Sequence, residues 1–215
     1  MTEFTLYIAN KNYSSWSVRG WLAMKATGAP FEEIIIPLDQ PETHETILRY
    51  SPSGRVPALK HGDLIIWESL AVGEYLAETF PKAELWPTAS AARAHGRAIT
   101  AEMHAGFGAL RQELPMNVRG SFPGREISDE ARSDINRIAA IWRDCIGRYG
   151  GPFLLGGFSL ADAMYAPVVS RFLTYKIELD DVATAYCGAV WEHEMVKEWR
   201  TAAGNEPMVI EAYEF

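Results

Sequence analysis

The stretch Phe4-Thr5-Leu6-Tyr7-Ile8-Ala9, followed four residues later by Ser14-Ser15-Trp16-Ser17-Val18-Arg19, decides the fold. Phe4, Leu6 and Ile8 alternate with Thr5, Tyr7 and Ala9, the period of a strand. Beyond the serines, Trp21, Leu22, Met24 and Lys25 follow helical spacing up to Gly28. A strand thus runs through a hydroxyl-rich turn into a helix. Because a helix start presents unpaired N–H donors and a positive dipole end, those hydroxyls stand where an anion would be stabilised. On this window alone, the plainer reading is that Ser14 or Ser15 caps the helix.

Working outward, the pattern gives strands near 4–9, 31–37, 56–60 and 64–67, and helices near 16–27, 43–50 and 69–79. His61-Gly62-Asp63 reads as the turn of a hairpin. The order βαβαββα predicts one mixed sheet with helices on its faces over residues 1–81. Pro81 and Pro87 mark a connection, and from 88 to 215 the periodicity is helical throughout, near 89–113, 128–149, 160–175, 181–191 and 193–203. The expected class is therefore α/β followed by all-α.

Composition narrows the function. With 48% hydrophobic and 22% charged residues, the chain matches ordinary soluble domains. A net charge of −8 argues against nucleic acid as a partner, since phosphate binding needs a basic face. The sequence shows neither a membrane-length apolar run nor a signal-peptide pattern, so a cytoplasmic protein is expected. Cys145 and Cys187 have no metal or redox spacing. His44, His61, His95 and His193 have no metal-ligand spacing, and no metal is expected.

Three points carry chemistry. Ser14 and Ser17 have the spacing of a redox dicysteine at a strand-to-helix turn, but no cysteine is there, so any thiol must come with a ligand. A serine O–H aimed at such a thiolate would lower its pKa from about 8.5 toward neutrality. Arg55-Val56-Pro57 opens the third strand, and a cis bond at Pro57 would turn the Val56 backbone outward for an extended peptide ligand. Glu68-Ser69 starts a helix, where hydroxyl and amides suit a carboxylate and Glu68 an ammonium, although a simple N-cap reads equally well there. Phe158-Ser159-Leu160-Ala161-Asp162 is a capping box, a structural motif.

In this order the three points resemble the cytosolic glutathione transferase family along the whole chain. Ser-Pro-Ser-Gly-Arg-Val-Pro-Ala-Leu (51–59), Trp-Glu-Ser-Leu-Ala-Val-Gly-Glu-Tyr-Leu (67–76) and Leu-Trp-Pro (85–87) are similar to that family too. The resemblance implies a thioredoxin-like N-terminal domain that binds glutathione and a helical domain that forms the electrophile pocket. It assigns Ser14 and Ser15 to the sulfur, with Arg55, Val56, Pro57, Glu68 and Ser69 holding the rest of glutathione, and His44 near its glycine end. Trp16, Met103, His104, Phe107 and Arg111 are the implied electrophile pocket, with Met103, Phe107 and Leu110 on one helical stripe. The Ser-Ser-x-x-x-Arg pattern is most similar to the zeta class, but Trp16 stands where that class has cysteine. Arg171 lies a turn before the zeta substrate arginine, and Thr174 is nearer its place. The implied activity is transfer of glutathione to a small hydrophobic electrophile by a homodimer. The alternatives are glutathione-dependent isomerisation or peroxide reduction, and a non-catalytic protein-binding module.

Overall fold

A computed structural model describes residues 3–215. The first strand, β1 (Phe4–Ile8), runs parallel to β2 (Phe31–Ile35) and antiparallel to β3 (Ala58–His61), which pairs antiparallel with β4 (Leu64–Trp67). The sheet order is β2-β1-β3-β4. The expected hairpin forms, with His61 paired to Leu64 so that the turn is Gly62-Asp63 alone, and Gly62 supplies a positive φ of 58°. The third strand begins at Ala58 rather than Val56, because Pro57 has no N–H to give the ladder.

Helices α1 (Ser15–Ala26), α2 (Thr43–Leu48) and α3 (Ser69–Thr79) complete the βαβαββα order. A 3₁₀ turn at Pro81–Ala83 then leads to α4 (Ser90–Ala105), α5 (Gly108–Glu113), α6 (Asp129–Tyr149), α7 (Leu160–Thr174), α8 (Asp181–Trp191) and α9 (Glu194–Gly204). No strand occurs after Trp67 among the described residues, and none of their helices is long and apolar enough to cross a membrane.

The structure corrects one helix. The periodic stretch 89–113 is two helices, because Gly106 ends α4 and Phe107 takes a left-handed conformation, φ 63° and ψ 47°. Arg111 reaches back across the break, donating from Nε to the Gly106 carbonyl at 3.0 Å and from Nη2 to the Met103 carbonyl. A guanidinium there satisfies the end of α4 and complements its dipole. Met103, Phe107 and Leu110 stay buried, but as core on two helices rather than one stripe.

Helix α7 is the spine of the helical half: it packs on α1, α4 and α8, and of its residues only Leu173 is not buried. The capping box forms as expected. Asp162, fully buried, accepts from the Ser159 N–H at 2.8 Å, the Ser159 hydroxyl at 3.0 Å, the Leu154 N–H at 3.0 Å and the Tyr186 hydroxyl at 3.1 Å. Helix α1 lies between sheet and spine, packed on α3 and α7. It approaches β3 closely, since a Cβ on Gly20 would meet the Pro57 ring at 2.8 Å. That contact sets the distance between the start of α1 and the Val56-Pro57 segment.

Candidate glutathione cleft

Ser14 is the N-cap of α1, and its Oγ accepts the Ser17 N–H at 3.3 Å. The cap reading is therefore correct, and the same hydroxyl also lines a cleft of about 320 Å³. Ser17, fully buried, explains how one hydroxyl serves both ends. Its Oγ accepts the Ala9 N–H at 2.8 Å and lies 2.7 Å from Ser14 Oγ. When Ser17 gives its single hydroxyl proton to Ser14, the Ser14 proton has no acceptor among the described residues and is left for an anion in the cleft. Ser17 carried a sequence signal, its three-residue offset from Ser14, but was not among the expected site residues. Ser15 is the first helical residue, beside the cleft wall that Ser14 and Trp16 form.

The loop ahead of Ser14 is held by the chain's far end, which no local pattern announced. The Glu206 carboxylate accepts the Lys11 N–H at 2.6 Å and the Asn12 N–H at 3.2 Å, and the Tyr13 hydroxyl bonds Glu214 at 2.5 Å. Asn12 also donates to Asn117 at 2.9 Å. Backbone amides with side-chain acceptors from a distant segment hold a loop in one place, and this loop delivers Ser14.

The Val56-Pro57 peptide is cis. Val56 lines the cleft, and its backbone amide and carbonyl make no hydrogen bond among the described residues. Arg55 and Gly54 continue the wall, and Leu38 and Ile47 supply apolar surface. Gly54 has φ 65°, and a Cβ there would strike the His44 ring at 2.7 Å, which places His44 at that end of the cleft.

At the other end, Glu68 holds φ 72° and ψ 128°, a conformation that costs a non-glycine residue about 1–3 kcal/mol and is found where function demands it. It turns the chain so that Ser69 opens α3 and the Glu68 carboxylate lines the cleft. The Ser69 Oγ is buried with no partner. An orphaned hydroxyl at a helix N-terminus, next to a carboxylate, is a fitting receptor for an amino-acid head group.

Of the expected electrophile pocket, Trp16 lines the cleft, while His104 and Arg111 gather on it. The His104 ring meets the indole edge-on at 5.3 Å, its Nε2 lies 3.6 Å from the Glu68 carboxylate, and the Arg111 guanidinium lies 5.0 Å from the indole centre. Met103 and Phe107 belong to the core rather than to the cleft wall. Burial lowers the His104 imidazole below its usual 6.5, with Glu68 opposing and Arg19 and Arg111 reinforcing the shift. Burial pushes the thiols of Cys145 and Cys187 up to about 12, so neither offers a thiolate at neutral pH. No group of three or more His, Cys, Asp or Glu side chains is placed to hold a metal among the described residues.

A thioredoxin-like sheet followed by a helical domain, with a cleft lined by Ser14, Val56, Pro57 and Glu68, defines the class of fold. Residues 13–79 match the family model "Glutathione S-transferase, N-terminal domain" and residues 90–202 match "Glutathione S-transferase, C-terminal domain". The chain belongs to the glutathione S-transferase family. It is 30% identical over 184 residues to the maleylacetoacetate isomerase of Rattus norvegicus, covering 83% of this chain and 82% of the relative. It is 29% identical over 166 residues to glutathione S-transferase L1 of Arabidopsis thaliana, where the match covers 76% of this chain but only 64% of the relative. Among solved structures, a glutathione S-transferase from the Antarctic clam Laternula elliptica superposes with TM-score 0.74 at 21% identity, covering 95% of each chain. A glutathione transferase homolog from Burkholderia with bound glutathione superposes with TM-score 0.71 at 20% identity, covering 94% of this chain and 99% of the other. At those identities the structures speak for the fold alone.

Proposed function

We propose that the protein binds glutathione in this cleft, ionises its thiol beside Ser14, and adds the thiolate to a small hydrophobic electrophile. The carrying observation is the Ser14 hydroxyl, anchored by Ser17 at the start of α1 and open to the cleft that Val56 and Glu68 also line. In this reading the free Val56 backbone pairs with the cysteinyl residue as an added strand, Ser69 and Glu68 hold the γ-glutamyl head group, and Arg55 and His44 stand toward the glycine end. The α1 amides and the Ser14 O–H favour the thiolate, whose proton leaves to solvent on binding.

With an activated aryl chloride, the sulfur forms a bond to the ring carbon, the carbon–chlorine bond breaks, and chloride leaves. Purified protein should catalyse that conjugation, and Ser14→Ala should slow it at neutral pH by about tenfold to a hundredfold, the worth of one hydrogen bond to a charged group. Glutathione binding without turnover of any electrophile would instead favour a non-catalytic binding module. A second reading, glutathione-dependent isomerisation, is favoured by the name of the rat relative. Maleylacetone separates the two, since an isomerase converts it without consuming glutathione.

A further inference from the structure

The turn that carries the chain from β1 into α1, residues 10–14, is buried throughout, although Asn10, Lys11, Asn12 and Ser14 are polar or charged. Much of what pairs with it comes from the segment after α9. The Glu206 carboxylate, 195 residues along the chain from Lys11, takes three of the turn's N–H groups at once. Its Oε2 accepts the successive Lys11 and Asn12 amides, and its Oε1 accepts the Asn10 side-chain amide. Arg119 keeps that segment in place, its Nη2 donating to the Met208 carbonyl at 3.0 Å and to the Tyr13 hydroxyl at 3.1 Å.

Asn10 passes the grip on to the cleft. Its backbone carbonyl accepts the Ser14 N–H at 2.9 Å, and its side-chain carbonyl accepts the Leu38 N–H at 2.7 Å. Ser14 and Leu38 both line the cleft. One distant carboxylate thus bears on the backbone of the residue at the sulfur end and on an apolar wall residue. Other ties to the turn do not involve Glu206: the Trp199 indole donates to the Lys11 carbonyl at 3.0 Å, and the Val118 and Arg119 amides donate to the Asn12 carbonyl and side chain at 3.1 and 2.9 Å. Without Glu206 the turn keeps those ties, but two adjacent buried amides lose their acceptor and the turn must shift to find them another. A catalytic group misplaced by about 1 Å can cost a reaction about a hundredfold.

We infer that Glu206 is a positioning residue for Ser14: by holding the turn through Asn10, Lys11 and Asn12 it keeps the Ser14 O–H at the sulfur, so that ionisation of the bound thiol depends on a side chain that does not line the cleft. The inference rests on the glutathione reading above and adds to it the residue that fixes the hydroxyl in place. Removing Glu206 has two opposed effects on the thiol. Loss of a negative charge through space lowers its pKa, whereas displacement of Ser14 raises it. The sign of the change therefore separates positioning from simple electrostatics.

The test is the pKa of the bound thiol, with the pH dependence of kcat, in Glu206→Ala and Glu206→Gln. In Glu206→Ala the thiol pKa should rise by about one unit, so that kcat for conjugation of the aryl chloride falls about tenfold at neutral pH and recovers as pH passes the raised value. Glu206→Gln keeps an acceptor for the Lys11 and Asn12 amides but sets an NH2 group against the Asn10 amide, and should fall between. Hydrogen exchange of the amides of residues 11–14 in the ligand-free protein, followed by mass spectrometry, supplies a readout independent of glutathione. It should quicken at least about tenfold in Glu206→Ala while exchange in β3 and β4 stays unchanged. A lower Tm with the thiol pKa and the kcat profile unchanged, a thiol pKa that falls, or turn amides that exchange as in the wild type would each overturn the assignment. If Glu206→Ala does not fold, the same readings on Glu206→Gln decide it. If the wild type binds no glutathione or leaves its thiol pKa at the free value, the glutathione reading fails instead, and the amide exchange alone decides whether Glu206 holds the Ser14 turn.

Discussion

Replacing Ser17 with alanine removes a hydroxyl that is fully buried and touches nothing but protein. Two consequences separate. The Ala9 N–H loses its acceptor at 2.8 Å in a site closed to water, and a stranded buried donor costs about 1–3 kcal/mol. For a chain of this length that lowers Tm by roughly 2–12 °C. The Ser14 hydroxyl loses the neighbour at 2.7 Å that orients it, but keeps its place at the helix cap. A neutral hydrogen bond is worth about 0.5–1.5 kcal/mol, so kcat/KM for conjugation should fall only about twofold to tenfold. Thermal melts and steady-state kinetics on one preparation measure both. An unchanged Tm together with unchanged kinetics would refute the hydroxyl pair. A loss of activity as deep as that of Ser14→Ala would mean that Ser17, not Ser14, faces the sulfur.

Asp162→Ala strands four donors at the start of α7 and should cost about 3–5 kcal/mol, or roughly 6–20 °C in Tm, with the glutathione Kd of the folded protein unchanged by calorimetry. Gly20→Ala drives a methyl group to 2.8 Å from the Pro57 ring. It should weaken glutathione binding several-fold by pushing α1 from the Val56 segment, even though alanine is the better helix former. Because burial keeps the folded His104 below 6.5, the unfolded chain takes up that proton first. The stability contributed by neutral His104 is thus complete above pH 6.5 and lost as pH falls through the lower folded value, and His104→Gln should flatten that part of a Tm-against-pH curve.

Much of this was legible because it is local. The alternation of Phe4, Leu6 and Ile8, the serines ahead of Trp21, the X-Pro at 56–57 and the Glu-Ser pair at 68–69 each sit within one turn or one element, and Ser14, Val56, Pro57 and Glu68 from three of these segments line one cleft. The break at Gly106–Phe107 was not legible. Phe107 fits the helical stripe, and the left-handed turn it takes after Gly106 is accompanied by Arg111 reaching back to the end of α4, a contact that periodicity does not show. The grip of Glu206 on the Lys11 and Asn12 amides, and the meeting of Arg19 and Arg111 on the Trp16 ring, bring together residues far apart in sequence, where no periodicity or spacing connects them. Trp16 reads as a departure from the zeta pattern in the sequence. In space it lines the cleft and carries the guanidinium groups of Arg19 and Arg111 against its ring.

The most direct test of the central claim is the pKa of the glutathione thiol on the protein, followed through the ultraviolet absorbance of the thiolate as pH is varied. Ser14 at the start of α1 should place it about one to two units below the free value near 8.5, and Ser14→Ala should return most of that shift. A bound thiol that titrates like free glutathione, or one whose lowered pKa survives Ser14→Ala, would contradict it.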